Sequence, residues 1–387
     1  MTKTPDVTWP QANARRPARQ GLSSPGSHDS PAAVAGAMLG AHAQVLSAGE
    51  LSIALRLPYG TTRTDVREAL WTDRTLVKTY GPRGTVHLLP MADLPMWTGA
   101  LSAVPAGPDQ WPEHVRMSPE QTDEVVAAIR DALTGAELTI GELTDAIVER
   151  TGAWAGDRVM EAFQDKWPRW RQVTHTAAHR GALAFGPNRG RNVTFTCPAV
   201  TPMDESLALA ELVRRYLYAY GPATPAHFAR WLGVPKAWAG EQFGKSADAG
   251  GIEEVAFEGT PAWVASGDTV FEDADPPRGV RFLPYFDAYA IACRPRERLF
   301  PGAAATRALA GGQAGNYPVV LVDGIVAGVW HQRRSGRRLV MTVEPIGSAL
   351  DRPSARKDLT VQADRVAEAL EGRAELSVGQ VTVGPHA

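Results

Sequence analysis

A helical signature that recurs three times is the strongest constraint on how this chain folds. Ser47 to Leu55, Thr139 to Ile147 and Thr224 to Leu232 each open with a hydroxyl residue and carry large apolar residues four and eight positions later. A hydroxyl at that place accepts a hydrogen bond from the open amides of the first helical turn. Glu50 and Glu142 follow three residues after Ser47 and Thr139, and Ser47 with Glu50 reads as a capping box. Pro225 takes the first helical position of the third copy, where a missing N–H costs nothing. Leu51/Leu55, Leu143/Ile147 and Phe228/Leu232 then share one helix face each, and that face turns to a core.

Each copy has a helical stretch before it and two strand-like runs after it. The upstream stretches are Ala32 to Leu39, Ser118 to Leu133 (Pro119 first, Gln121 closing a capping box) and Asp204 to Tyr220. The strand pairs are Thr75–Tyr80 with Thr85–Leu89, Ala182–Phe185 with Val193–Thr196, and Glu254–Phe257 with Ala262–Ala265. Their Gly- and Pro-containing joins have hairpin chemistry. Helix, turn, helix and β-hairpin is the winged-helix arrangement, and three tandem copies fit between about Val7 and Ser266. After the Asp275-Pro276-Pro277 step the pattern changes to hairpins around Asp323-Gly324 and around Gly336, a helix from Ala355 to Leu370 and a last strand near Glu375–Val378. The expectation is an α+β fold: three tandem winged-helix subdomains followed by a C-terminal β-barrel. Its boundaries fall at residues 1–110, 111–202, 203–274 and 275–387.

Composition excludes several classes. No apolar run approaches the roughly 20 residues that a membrane span needs, and no signal-peptide core is legible near the start, so the cytoplasm is the expected location. Cys197 and Cys293 suggest neither a disulfide framework nor a zinc site. His175 and His179 have metal-like i,i+4 spacing but lack a third ligand and the zincin glutamate, so no metal is expected. A net charge of −2 with only six Lys leaves nucleic-acid binding to local clusters. Such clusters exist on turns: Arg83 in the first hairpin, Arg189 and Arg191 in the second, and Arg333, Arg334, Arg337 and Arg338 in a late one. Arg-rich hairpin tips suit a minor groove. Arg169, Arg171 and Arg180 are further phosphate candidates, whereas Trp167 and Trp170 read as core.

His42-Ala43-Gln44 lies in the break between the first two helical stretches. In an extended segment, side chains two apart share a face, so His42 and Gln44 are expected to point outward together and hold one water molecule.

In Val7–Gln11, Leu39–Val45, Arg83–Pro90, Tyr220–Thr224, Leu283–Tyr289 and Val320–Gly324 the chain resembles the AlkZ/YcaQ-type DNA glycosylases, a family of winged-helix DNA-binding domain proteins. The resemblance runs nearly end to end. It implies a C-shaped protein that hydrolyses the N-glycosidic bond of N7-alkylguanine without a cofactor. Some such enzymes accept bulky natural-product adducts and interstrand crosslinks without flipping the base into a tight pocket, which leaves both housekeeping repair and self-resistance to a DNA-alkylating metabolite open as the role of this chain. The family's catalytic element is a Gln–aliphatic–Gln triplet. Gln44 carries over directly, while His42 stands where relatives have Gln. Either His42 still positions water, with a neutral imidazole of pKa about 6.5 available as general base, or the exchange narrows or abolishes activity. The implied partner is double-stranded DNA containing alkylated guanine, met by a monomer, with the Arg333–Arg338 hairpin inserted nearby. The rival readings are a non-catalytic tandem winged-helix regulator and a small-molecule binder.

Overall fold

The computed structural model describes residues 5–107, 111–162, 165–271 and 277–384. The Asp275-Pro276 part of the expected linker lies outside them. The chain packs as two compact units. One joins Met1–Leu76 to Val213–Ala387, and Val77–Leu212 forms the other between them in sequence.

In the 77–212 unit, two helices meet as their caps dictate. Pro119–Leu133 starts at Ser118, whose hydroxyl accepts from the Gln121 amide at 3.2 Å, and Ile140–Thr151 starts at Thr139, capped reciprocally with Glu142. Leu143 and Ile147 are fully buried with Ile129, Leu133 and Trp170. The Trp170 indole N–H donates to Thr144 Oγ1 at 3.0 Å, which satisfies its one donor inside that core. The strands Leu76–Tyr80 and Val86–Pro90 do not stand apart from the second hairpin. Lys78 pairs with Phe185 of Ala184–Arg189, which continues to Asn192–Thr196 and then to Leu138–Thr139 in one sheet. Trp167 departs from its expected core position. It is 43% exposed, and the Arg171 guanidinium lies 3.9 Å from the centre of its ring.

In the other unit, Pro225–Leu232 is capped by Thr224 and His227 and buries Phe228 and Leu232. Leu51 and Leu55 are buried as their spacing requires. The Ser47–Glu50 capping box does not form. The helix runs Leu46–Ala54 from Val45, and Glu50 turns inward to take two hydrogen bonds from Arg67, at 2.7 and 2.9 Å. Burying a carboxylate is tolerable only with such a partner. Trp9–Arg19 remains helical through Pro17, which lies within two residues of its end, where a lost helix bond matters least. Asp6–Val7 pairs in parallel with Ile252–Phe257, which forms a hairpin with Thr260–Ala265.

The expected C-terminal barrel is instead an open sheet. Its order is Val280–Leu283, Val319–Val322, Ile325–Ser335, Arg338–Pro345 and Arg373–Val378, and among the described residues the first and last strands do not pair. The reason is visible in the last crossover. The Pro353–Ala369 helix returns the chain so that Arg373–Val378 lies parallel to Arg338–Pro345, and it packs on the Val280–Leu283 strand. A helix laid across the sheet covers the face that closure would otherwise bury. The Asp323-Gly324 turn has positive φ at both residues, 52° and 80°, as a two-residue hairpin of this hand requires. A Cβ at Gly324 would lie 2.7 Å from Asn13 Oδ1, so the turn also seats on the first helix.

Candidate active site

The His42–Gln44 segment is shaped by what packs behind it. Leu39 and Gly40, with φ of 54° and 93°, carry the chain out of the Pro31–Ala37 helix into the short strand Ala41–His42. The Leu46–Ala54 helix then approaches so closely that a Cβ on Gly49 would sit 2.9 Å from the His42 carbonyl oxygen. The two polar side chains are not equivalent. His42 is 8% exposed, its ring 4.6 Å from that of Phe286 and tilted by 34°, whereas Gln44 is exposed to solvent. The expected pair of outward-pointing residues is thus one inward and one outward.

A buried ion pair sets the Phe286 position. Arg56 and Asp287 are fully buried and joined by two bonds of 2.8 Å. The Ser52 hydroxyl donates to the same carboxylate at 2.5 Å, and Asp287 also caps the Ala288–Ala292 helix through the Tyr289 amide at 3.0 Å. Phe286, next in the chain, is held with a φ of 56°, and its amide donates to the Gly315 carbonyl at 2.9 Å. A carboxylate with this many charge-assisted bonds is fixed in orientation. The residue beside it, which faces His42, inherits that rigidity.

Immediately after Gln44 the chain enters the wall of a cleft of about 280 Å³. Val45, Ser47 and Leu51 form one side, and Tyr285, Trp330, His331, Gln332 and Arg334 form the other. Trp330 is the rigid floor: it is stacked on Phe282 at 5.2 Å, and its indole N–H donates to the Leu283 carbonyl at 2.9 Å. Two guanidiniums stand at the cleft, each tied to the end of the C-terminal helix, Arg63 to Glu371 at 3.0 Å and Arg334 to the Leu370 carbonyl at 2.7 Å. Burial lowers the His331 pKa, which favours the neutral ring.

The arginines read from the sequence divide. Arg333, Arg334, Arg337 and Arg338 sit on the hairpin whose root lines this cleft. Arg334 is held as described, and Arg338 is ion-paired to Glu375, while Arg333 and Arg337 are exposed. Arg83, Arg189 and Arg191 belong to the 77–212 unit. Arg83 is exposed on a turn with φ of 61°, and Arg191 is exposed. Arg189 bonds to Glu142 at 2.8 Å and to the Glu137 carbonyl at 2.6 Å. Arg180 pairs with Asp123, and Arg169 donates to the Val115 carbonyl. Arg56, Arg63, Phe286, Asp287, Trp330 and Gln332 were not singled out by sequence reasoning. One signal was available: Arg56 and Asp287 are charges set among apolar neighbours.

The model of the AlkZ-like DNA glycosylases matches residues 35–369. The chain belongs to that family. It is a DNA glycosylase, which leaves the reading as a non-catalytic regulator behind. A relative described as an interstrand DNA cross-link repair glycosylase, from Streptomyces sahachiroi, is 33% identical over 342 residues, 84% of this chain and 88% of that protein. The solved structure of Streptomyces sahachiroi DNA glycosylase AlkZ superposes with a TM-score of 0.80 at 30% identity, over 97% of this chain and 100% of the other. The α+β architecture of the family is therefore shared along the glycosylase's length, and no helix among its described residues is long and apolar enough to cross a membrane.

Proposed function

We propose that the protein excises N7-alkylguanine from duplex DNA, with His42 and Gln44 placing the hydrolytic water. One observation carries the reading: the His42–Gln44 segment is braced from behind and runs directly into a cleft floored by Trp330 and flanked by Arg63 and Arg334. N7-alkylation makes guanine a cationic leaving group, so the base departs with the electron pair of its glycosidic bond. What remains is an oxocarbenium-like sugar that water must capture. The exposed carboxamide of Gln44 holds that water, and the His42 imidazole, which packs on Phe286 here, turns outward to share in positioning it and to accept its proton. Among the described residues that line the cleft there is no Lys or Cys, which fits direct hydrolysis rather than a covalent imine.

The three helix–helix–hairpin segments act as winged helices on the duplex. Arg83, Arg191, Arg333 and Arg337 contact phosphates or the minor groove, while Arg189, Arg334 and Arg338 keep their neighbours in place. The cross-link repair named for the Streptomyces sahachiroi relative extends to this chain on the basis of their 33% identity over 84% of it. The protein works as a monomer in the cytoplasm.

The test is incubation with a duplex carrying one N7-alkylguanine, then alkaline cleavage of the abasic product. Wild-type protein yields a strand break at the lesion. Gln44→Ala and His42→Ala each lower the single-turnover rate by about 10²-fold or more, the range of positioned acid–base groups. Duplex binding without any abasic product would overturn the proposal.

A further inference from the structure

A second cleft lies in the same unit, between the Pro225–Leu232 helix and the segment from Arg294 to Glu297. It encloses about 510 Å³, and its charge is one-sided: Arg230, Lys236, Arg294 and Arg296 line it against one carboxylate, Glu297. None of those four cations makes an ion pair among the described residues. Arg230 and Lys236 form an exposed rim, whereas Arg294 is only 8% exposed. Its Nη1 donates to the Ile291 and Cys293 carbonyls, both at 3.1 Å, but its buried Nε has no acceptor among the described residues. Arg296 donates one nitrogen to the Ile291 carbonyl at 3.1 Å and leaves its buried Nη1 likewise without an acceptor.

Burying guanidinium groups without counter-charge is expensive, because each lost hydration shell must be replaced. Here the cost shows as a depressed Arg296 pKa of about 9, caused by burial and then by the charges of Arg294 and Arg230. His227 is held near 4 by burial and by Arg16 and Arg294, so it stays neutral and contributes no charge of its own. A tetrahedral oxyanion supplies what is missing: charge to offset the cations, and several acceptor oxygens for planar forks.

We propose that this cleft is a binding site for a phosphate-type oxyanion, with Arg294 and Arg296 as inner donors and Arg230 and Lys236 as the rim. The site is separate from the cleft beside Gln44, and it stands or falls independently of the proposed excision chemistry. Its ligand is either a free phosphate or a backbone phosphate of DNA.

The experiment follows the melting temperature of the full-length protein against inorganic phosphate, with chloride at matched ionic strength as the reference. Phosphate raises the melting temperature saturably in the wild type, and Arg230→Gln and Arg296→Gln each weaken the apparent affinity about tenfold. Arg298→Gln, which breaks only the exposed pair with Glu258, leaves it unchanged. Lys236→Gln, at an exposed position, serves if Arg296→Gln does not fold. Undamaged duplex distinguishes the two sources. If the slope of log K against log salt falls by about one in Arg230→Gln, the bound group is a DNA phosphate. An unchanged slope with phosphate stabilisation retained identifies a free anion. The proposal is overturned if phosphate acts no differently from chloride, whatever the slope does, or if all variants respond like the wild type.

Discussion

At the scale of single residues, the site depends on groups that never touch solvent. Arg56 and Asp287 hold each other through two hydrogen bonds and position the backbone that presents Phe286 to His42. Asp287→Asn strands a buried guanidinium and is expected to cost about 3–5 kcal/mol in urea unfolding. Arg56→Met added to it costs much less than the sum of the two single changes, since the orphaned charge is then gone. Gly49 is the second such residue. Gly49→Ala forces a methyl to 2.9 Å from the His42 carbonyl, for an expected loss of about 1–3 kcal/mol by overpacking. Its excision rate falls further than that of a stability-matched core variant, because the displaced atoms belong to the proposed water site.

At the scale of elements, the late hairpin carries four exposed arginines, of which Arg334 and Arg338 are tied to neighbours. Arg333→Ala with Arg337→Ala is expected to lower the salt slope of duplex binding by about two, with melting temperature unchanged. Arg338→Ala, tied to Glu375, changes binding little and stability by less than about 1 kcal/mol. Helices and hairpins of this kind were legible in the sequence because their signals are local. Thr139 with Glu142, Ser118 with Gln121 and Asp323-Gly324 each act within a few residues. Ser47 with Glu50 carried the same signal and misled, because Arg67 offered Glu50 a partner that no local rule foresees. The closed barrel failed for a related reason: the parallel return of Arg373–Val378 depends on where a helix packs, not on any turn residue. The triplet could be placed by resemblance, but the inward turn of His42 depends on Phe286, 244 residues away, and was invisible.

At the scale of the whole molecule, one half-buried histidine with a strongly lowered pKa in each unit makes stability sensitive to acid. His179 and His227 both have pKa values lowered from 6.5 to about 4, chiefly by burial. Between those values the unfolded chain binds more protons than the folded one. Stability is therefore complete above pH 6.5 and declines as the pH falls toward 4, by up to about 2–3 kcal/mol for each histidine. Urea midpoints measured from pH 7.5 to 4.5 should fall steadily, and His179→Gln should flatten that decline. A profile identical in the variant would remove His179 from the account.

The first strand, Asp6–Val7, finds its partner only at Ile252–Phe257, and Arg56 waits for Asp287. On the ribosome, the opening segment thus emerges long before anything can complete it. At about 5–20 residues per second, more than ten seconds separate the emergence of His42 from that of its brace. The intervening 77–212 unit carries its own core and is free to close first. A chain broken off before Trp330 and Arg334 would have no finished cleft. The capacity to cut glycosidic bonds would then arrive with the last third of the polypeptide, as the final product of synthesis rather than an early one.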